Sequence, residues 1–426
     1  MCALMSEELY PGIYFHTVSD ERFKTNQIEV HLVTALDQGS AAQNALIPSL
    51  LRKGCEKYKD FTQFNRYLNS LYGAVVDYDV EKFGDEQVLS LSIISVDDRF
   101  TLNQEPVTEQ ISQVLFQMLL HPVTENGMFA ASEVELEKKA LIDTIEAEIN
   151  DKRMFALRST TQLMCEGEPY GLSEYGTVEQ VKAITPASVT RAYHQLLSSA
   201  QIEILFVGSG NAEVCKQIAK EQLRVLSRSK SDVRLTATKL HAPLERMIEK
   251  TVQMEVSQSK MVLGFATEIP CNTRELYALR LMVIILGGTP MSKLFLNVRE
   301  KLSLCYYCAA RLDRTKGIVK IDCGVENENI EKAKEEILKQ IEEMQQGNIT
   351  SEEMKNAMLS MVNSYRTVND SNASIESFYL GQILCGSTNS PEEEARQICS
   401  ITKDEVIWAS KQLKLDICYI LTGKEV

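Results

Sequence analysis

The feature that most constrains the fold of this 426-residue chain is an internal repeat. The segment ITPASVTRAYHQLLSSAQIEILFVGSG, residues 184–210, resembles ITKDEVIWASKQLKLDICYILTGKE, residues 401–425, and Ile184, Val189 and Gln195 each have an identical residue 217 positions later. Each copy begins with a threonine that is typical of a helix start, continues through one helical pattern and ends in an apolar strand closed by glycine. Self-similarity at a fixed offset predicts one structural unit used twice.

The repeat extends towards the amino-terminal side of each copy. A long predicted helix opens with SEVELEKKALIDTIEAEINDK at residues 132–152 and with SEEMKNAMLSMVNSYRTVND at residues 351–370. The chain is also too long for one ordinary hydrophobic core, and two domains of about 200 residues are expected from its length. We therefore predict an amino-terminal domain at 1–227, a polar linker at 228–245 and a carboxyl-terminal domain at 246–426.

Two kinds of periodicity alternate within each half. Runs typical of strands, rich in apolar and β-branched residues, lie at 28–36, 87–96, 261–269 and 318–325. Helical patterns run through residues 106–120, 131–157 and 329–345. Short turns such as Gly84-Asp85 indicate antiparallel pairing, and the long helices are expected to cover one face of each sheet. The predicted fold class is α+β, with two homologous domains that each contain a helix-covered antiparallel sheet.

The charge balance disfavours several classes of partner. Lys and Arg number 45 against 59 Asp and Glu, and a net charge of -14 repels nucleic acid and anionic membrane surfaces. The amino terminus has no signal-peptide pattern, and no apolar run approaches the ~18 residues of a spanning helix, so we expect a cytoplasmic protein. The 11 cysteines follow no disulfide framework, and Cys305 and Cys308 in CYYC are expected on a strand rather than in a metal or redox site.

A specific motif lies in the second half, at LGGTPMSKLFLNVREKLSLCYYCAARLDRTKGIVKIDCGVE, residues 286–326. This segment resembles the insulinase/pitrilysin metallopeptidase family, especially the mitochondrial processing peptidases and their bacterial homologues. In that family a double glycine is followed by S-x-L-F-x-x-V-R-E and then by a tyrosine. The matching positions are Gly287, Gly288, Ser292, Leu294, Phe295, Val298, Arg299, Glu300 and Tyr306.

The resemblance implies that Arg299 and Tyr306 are the family's pair of substrate contacts, which reach the substrate backbone beside the zinc ion. A guanidinium and a phenol are hydrogen-bond donors that suit a scissile carbonyl or the oxyanion formed from it. From residue types alone, Arg299 could instead pair with a neighbouring carboxylate and Tyr306 could pack on a sheet. Ser303 and Cys305 depart from the Gly and Ala that family members commonly have between the pair, which affects the expected turn.

The first repeat lacks the zinc motif of active family members. That motif is H-x-x-E-H, whose two histidines bind zinc and whose glutamate is the general base. The corresponding helix, QNALIPSLLRKG at 43–54, places Ala45 and Ser49 at the histidine positions. Pro48 stands at the glutamate position, and the third zinc ligand of the family falls at or beside Thr144. None of these side chains can do the work of the group it replaces.

No other residues of the sequence are expected to form a metal site. Glu137 and Asp143, near Thr144, are interpreted as a solvated helix face rather than a remnant metal site. No two histidines are spaced to bind one metal from a single helix turn; the five are His16, His31, His121, His194 and His241. We therefore expect no resident metal and no cofactor.

The resemblance covers nearly the whole chain and points to a zinc-less group of Gram-positive bacterial members, whose name links them to aminopentanol modification of elongation factor P. Such proteins are usually encoded beside a zinc-bearing paralogue. We expect a catalytically inactive subunit that forms a peptide-binding chamber and supplies Arg299 and Tyr306 to a zinc-bearing insulinase-family partner, or that forms a homodimer. A stand-alone peptide-binding or chaperone-like module and a purely structural subunit are the alternatives.

Overall fold

The structure, a computed structural model, describes residues 4–230, 233 and 238–423. The strands are β1 (Met5–Tyr10), β2 (Ile13–Ser19), β3 (Thr25–Ala35), β4 (Val75–Phe83), β5 (Glu86–Val96), β6 (Gln201–Gly208), β7 (Ile248–Gln253), β8 (Ser259–Ala266), β9 (Cys305–Asp313), β10 (Ile318–Val325) and β11 (Lys414–Thr422). The α-helices are α1 (Ala41–Leu51), α2 (Phe61–Ser70), α3 (Val107–Leu120), α4 (Ala131–Ala147), α5 (Lys152–Met164), α6 (Val178–Lys182), α7 (Pro186–Ser199), α8 (Ala212–Leu223), α9 (Arg274–Val283), α10 (Ile330–Gln345), α11 (Ser351–Thr367), α12 (Asn372–Leu384), α13 (Pro391–Cys399) and α14 (Lys403–Ser410). Residues 231–232 and 234–237 of the predicted linker lie outside the described residues.

These strands form two sheets with one topology. The first has the strand order β1-β2-β6-β3-β5-β4 and the second β7-β11-β8-β10-β9. β6 pairs parallel with β2 and antiparallel with β3, and β11 pairs parallel with β7 and antiparallel with β8. The other pairs are antiparallel. Apart from β1, the two sheets are equivalent strand by strand, which confirms the α+β class and the repeated fold.

The chain divides into two compact units, and neither is one contiguous stretch. Unit 1 comprises Met1–Glu146, Leu172–Ala237 and Val368–Leu384, whereas unit 2 comprises Ala147–Gly171, Thr238–Thr367 and Cys385–Val426. These units differ from the predicted domains 1–227 and 246–426, because α5 packs on β8 and β11 while α12 packs on β3 and β6. Two helices at equivalent places in the repeat are thus exchanged between the units.

Unit 1 has helices on both faces of its sheet. Ile28 and Leu32 of β3 belong to the large apolar core that includes α1, α3, α7 and α8. The alternate residue Val33 packs instead in a smaller cluster with Leu205 of β6 and Tyr379 of α12. Most helices therefore cover one face, as predicted, and the exchanged helix α12 lies on the other.

Unit 2 holds its exchanged helix through a similar apolar contact. Ala156 and Leu157 of α5 pack in one buried cluster with Val262 of β8 and Ile417 of β11.

Among the residues described, no helix combines the length and the apolar character that crossing a membrane would require.

The threonines that open the two repeats are helix caps. The Thr185 side chain accepts the Ser188 backbone N–H at the start of α7, and the Thr402 side chain accepts the Glu405 N–H at the start of α14. Both caps are reciprocated by the third helical residue, which satisfies two backbone donors that a helix end leaves unpaired. The repeat visible in the sequence is therefore a repeated helix start followed by a strand that takes the same place in each sheet.

The predicted helix at 131–157 is two helices. α4 ends at Ala147, a 3-10 turn spans Glu148–Asn150, and α5 begins at Lys152. The Asp151 side chain accepts the backbone N–H groups of Arg153 and Met154, so it caps the second helix. This break lies where the chain leaves unit 1 for unit 2.

Candidate functional site

A cavity of about 360 Å³ in unit 1 lies where α1, β4 and α4 meet. Its lining includes Ala45 and Ser49 of α1 and Thr144 of α4, so three of the four positions aligned with the family's zinc motif share one cavity. Pro48 is buried within the same helix. The positions that the family resemblance assigns to the zinc motif are therefore neighbours in space.

The side chains at these positions do not fit a zinc ion. The Ser49 hydroxyl donates to the Leu46 carbonyl at 3.0 Å, and the Thr144 hydroxyl donates to the Ala140 carbonyl at 3.0 Å. Ala45 has no ligand atom, and zinc sites in proteins are built from thiolate, imidazole and carboxylate groups. Each hydroxyl is satisfied by its own helix, and no metal-assisted step can be derived at this cavity.

Two basic side chains at or next to the cavity, those of Arg52 and Lys53, have partners. The Arg52 guanidinium lies 5.3 Å from the centre of the Tyr78 ring, and Glu137 accepts from Lys53 at 2.6 Å. Burial opposes the charge of Lys53, but hydrogen bonds to Glu137 and Glu133 outweigh it and raise the Lys53 pKa. The interpretation of Glu137 as part of a solvated face is wrong, because this carboxylate lines the cavity and binds an ammonium group.

Arg299 lies in a π-helical segment, Leu294–Lys301, that ends just before β9. Its guanidinium stacks 4.4 Å from the centre of the Phe295 ring and lies 3.5 Å from a Glu300 carboxylate oxygen. The side chain is 38% exposed, so its outer donors face solvent. The contact with Glu300 agrees with the alternative in which Arg299 pairs with a neighbouring carboxylate. The stacking on Phe295 holds the guanidinium plane in place.

Tyr306 is the second residue of β9, the edge strand of the unit 2 sheet. Its side chain is 66% exposed, so it does not pack on the sheet as the alternative required. Hydrogen bonds from Cys308 and Cys323, together with the positive charge of Arg299, lower the pKa of the Cys305 thiol. The Arg299 charge is therefore close to the start of the strand that presents Tyr306.

In the turn between Arg299 and Tyr306, one residue has an unusual backbone conformation. Ser303 has φ = 51°, in the left-handed region that glycine adopts without strain. The family's usual glycine at this place fits that requirement, and Ser303 adopts the same turn despite its side chain. Gly287 is needed for close approach, because a Cβ there would lie 2.6 Å from the Ala310 backbone nitrogen of β9.

Two buried groups of potential ligands were not identified from the sequence. Among the residues that the structure describes, three donors gather within 4.8 Å at Glu29, His31 and Glu376, and three others at Cys165, Glu168 and His241. In each group two residues are close in sequence, Glu29 with His31 and Cys165 with Glu168, but the third comes from a distant segment of the chain, so sequence spacing alone did not reveal either group. His31 lies on a strand, as expected, but it is ionically paired rather than only packed.

Comparisons with known proteins agree with this geometry. Residues 183–361 match the family model described as Peptidase M16 inactive domain. The chain is 27% identical to the probable inactive metalloprotease YmfF of Bacillus subtilis (strain 168) over 416 residues, which cover 97% of this chain and 96% of that protein. A conserved protein of Enterococcus faecalis V583 has a TM-score of 0.90 and 26% identity, with 99% of each chain covered. A peptidase M16 inactive domain of Pseudomonas fluorescens has a TM-score of 0.80 and 18% identity, with 99% of this chain and 98% of that chain covered.

The chain is therefore similar over nearly its whole length to a probable inactive metalloprotease, and it shares its fold with a peptidase M16 inactive domain. Two of these similar proteins are described as inactive. None of these comparisons bears on elongation factor P.

Proposed function

We propose that this protein is a non-catalytic subunit that forms a peptide-binding chamber with a zinc-bearing insulinase-family partner and contacts the peptide through Arg299 and Tyr306. The partner supplies the metal and the general base in this proposal. The observation that carries it is the exposed Tyr306 side chain on an edge strand, together with the partly exposed Arg299 guanidinium, which stacks on Phe295 in the segment that precedes this strand.

The two edge strands support peptide binding. β4 is the last strand of the unit 1 sheet and borders the cavity at Ala45, and β9 occupies the equivalent edge in unit 2. An edge strand presents backbone N–H and C=O groups that an extended peptide can pair with, while side chains next to the edge select the sequence. Arg299 and Tyr306 lie where such a peptide would meet β9.

The absence of the zinc motif supports a complex in which the partner supplies the metal and this chain supplies substrate contacts. With Ala45, Pro48 and Ser49 at the motif positions, the chain cannot hold a zinc ion that activates water in this cavity. A retained pair of hydrogen-bond donors is still useful, because donors aimed at a developing oxyanion lower the barrier wherever the metal comes from. A purely structural subunit would have no need of an exposed arginine and tyrosine pair.

The test is a reconstitution with a zinc-bearing insulinase-family paralogue and an assay of peptide cleavage. We expect no activity from this chain alone and a higher kcat/KM for the mixture than for the partner alone. Arg299→Ala should lower kcat/KM of the mixture by roughly 10- to 1,000-fold, the range for loss of one oxyanion donor. Arg299→Lys should restore it only in part, because an ammonium lacks the planar fork of donors.

Two further variants separate contact from packing. Tyr306→Phe keeps the ring and removes only the hydroxyl, so a loss of activity identifies that hydroxyl as a substrate contact. Arg396→Ala, at an arginine that is 73% exposed on α13, is the matched control and should leave activity unchanged. Full activity in both Arg299→Ala and Tyr306→Phe would contradict the proposal and favour a structural subunit. Peptide binding without any effect on a partner would favour the stand-alone module.

A further inference from the structure

Two segments of unit 2 that are distant in sequence bring a cysteine, a glutamate and a histidine together. Cys165 directly follows α5, and Glu168 lies three residues later, before the turn Pro169–Gly171. His241 lies within the predicted linker, and its backbone N–H donates to the Lys316 carbonyl at 2.9 Å. None of these residues belongs to the cavity at Ala45 or to the proposed peptide contacts.

One nitrogen of His241 faces both other donors. The Nδ1 atom lies 2.5 Å from Glu168 Oε1 and 3.9 Å from Cys165 Sγ, and the three donor atoms lie within 4.8 Å of one another. The other ring nitrogen, Nε2, lies 3.0 Å from Asp416 Oδ2. When Nε2–H donates to that carboxylate, the Nδ1 lone pair is free to bind a metal, as in the carboxylate-histidine-zinc arrangement.

The glutamate is also held by a second group. Glu168 Oε2 accepts from the Lys316 ammonium at 2.8 Å, which leaves Oε1 on the side of His241. Cys165, His241 and Lys316 are buried, whereas the Glu168 side chain is 28% exposed and offers a route for an ion. Two of the three donors therefore have the supporting partners that orient ligands in protein metal sites.

We propose that Cys165 Sγ, His241 Nδ1 and Glu168 Oε1 form a zinc site in unit 2, with a water molecule as the fourth ligand. The charges are balanced: a divalent ion and the Lys316 ammonium offset the Cys165 thiolate and the carboxylates of Glu168 and Asp416. Binding releases the thiol proton of Cys165 and the Nδ1 proton of His241 to solvent, because the ligating forms are thiolate and neutral imidazole.

The distances allow this ion with one small movement. Zinc bonds of about 2.3 Å to sulfur and 2.0–2.1 Å to nitrogen at a tetrahedral angle separate those two atoms by about 3.6 Å, close to the 3.9 Å found. Nitrogen and oxygen ligands would be about 3.3 Å apart, so the Glu168 carboxylate must withdraw from its 2.5 Å contact. Its partial exposure permits that movement. Without metal, a protonated His241 bridges Glu168 and Asp416, and this bridged state competes with the ion.

The experiment uses the full chain, stripped with a chelator and then titrated with zinc or cobalt. We expect about one tightly bound zinc per chain and a rise in the unfolding temperature on zinc addition. Cobalt at this site should give a thiolate-to-cobalt charge-transfer band, which requires a cysteine ligand. The second ligand cluster, at Glu29, His31 and Glu376, contains no cysteine and cannot produce that band.

Variants assign the site. Cys165→Ser should abolish the charge-transfer band, and Asp416→Asn should weaken zinc binding by roughly 10- to 100-fold, the usual effect of losing a group that orients a ligand. Cys399→Ser, at an exposed cysteine on α13, is the control and should change neither result. If Cys165→Ser does not fold, the wild-type cobalt spectrum and the Asp416→Asn affinity still decide the question. Absence of the band in the wild type, or equal zinc affinity in Asp416→Asn, would overturn the proposal.

Discussion

The buried pair of His31 and Glu376 makes the stability of unit 1 depend on pH. His31 Nε2 lies 2.7 Å from a Glu376 carboxylate oxygen, and Nδ1 lies 2.7 Å from the Ser90 hydroxyl. Glu376 is on the exchanged helix α12, while His31 is on the central strand β3. This pair therefore fastens a helix from the second half of the chain to the sheet of unit 1.

The size and the sign of the effect follow from the imidazole pKa. Burial alone would lower the pKa of His31. The carboxylates of Glu376, Glu29 and Glu203 outweigh that effect and raise the pKa from 6.5 to about 9. A shift of that size corresponds to about 3 kcal/mol. Because the folded state holds the proton more tightly, this stabilisation is complete below pH 6.5 and is lost as the pH rises through about 9.

Glu29 also makes the folded state less stable as the pH rises. Its burial raises the carboxyl pKa from 4.5 to about 7, so the folded state again binds the proton more tightly than the unfolded state. Stability from this group falls as the pH rises from about 4.5 to 7, a window below that of His31. The two windows can be separated by substituting one group at a time.

The perturbation is His31→Gln, which keeps a hydrogen-bond donor and removes the titration. We expect the free energy of unfolding of the wild type to fall by about 2.5 kcal/mol between pH 7, where most of the Glu29 contribution has been lost, and pH 10, and that of the variant to change much less. Urea denaturation followed by circular dichroism measures the free energy, and hydrogen exchange in peptides covering β3 localises it. His121→Gln, at an exposed histidine, is the control. Parallel pH curves for wild type and His31→Gln would refute the reasoning.

Two more substitutions test the turn and the lost motif. Ser303→Gly should raise the free energy of unfolding by about 0.5–1 kcal/mol, because glycine adopts φ = 51° without strain and that relief exceeds its entropy cost; a destabilised variant in urea denaturation would contradict this. The combined change Ala45→His, Pro48→Glu and Ser49→His should not create a chelator-sensitive peptidase, because Thr144 provides no third ligand; a fluorogenic peptide assay with and without chelator checks it.

The repeated α+β unit, though not its strand order, could be predicted from the sequence because local signals mark the repeat. Thr185 and Thr402 cap equivalent helices, and the apolar runs that follow them become β6 and β11 with equivalent neighbours. The positions aligned with the zinc motif could also be located, because Ala45 and Ser49 stand one helical turn apart on α1 and face one cavity. Spacing along a helix is a local property, and it survives in the fold.

The exchange of helices could not be predicted by the same reasoning. α5 and α12 follow equivalent breaks in the chain, and neither sequence has a clear apolar stripe that would show which sheet it covers. The unit boundaries therefore depend on long-range contacts rather than on periodicity. Asp151 caps α5 and marks the break between α4 and α5 in the sequence. A capping residue indicates where a helix begins, but not which sheet the helix packs against.

The two exchanged helices are fastened by different polar chemistry, although their places in the fold are equivalent. α12 is tied to unit 1 by the Glu376 pair with His31 and by the Asn372 amide, which donates to the Thr25 carbonyl at 2.9 Å. α5 is tied to unit 2 by Arg153, whose guanidinium donates to the buried carboxylate of Asp322 at 2.5 Å. Breaking a buried ion pair by removing one partner costs more than the pair contributes, because a desolvated charge is left behind.

Reversing the charges tests the contribution of these two pairs. Arg153→Glu would place a carboxylate against Asp322, and Glu376→Arg would place a guanidinium against His31. Like charges in a buried place are disfavoured by several kcal/mol. On this reasoning the double exchange Arg153→Glu with Glu376→Arg should impair folding far more than a change at either surface arginine, Arg66 or Arg396.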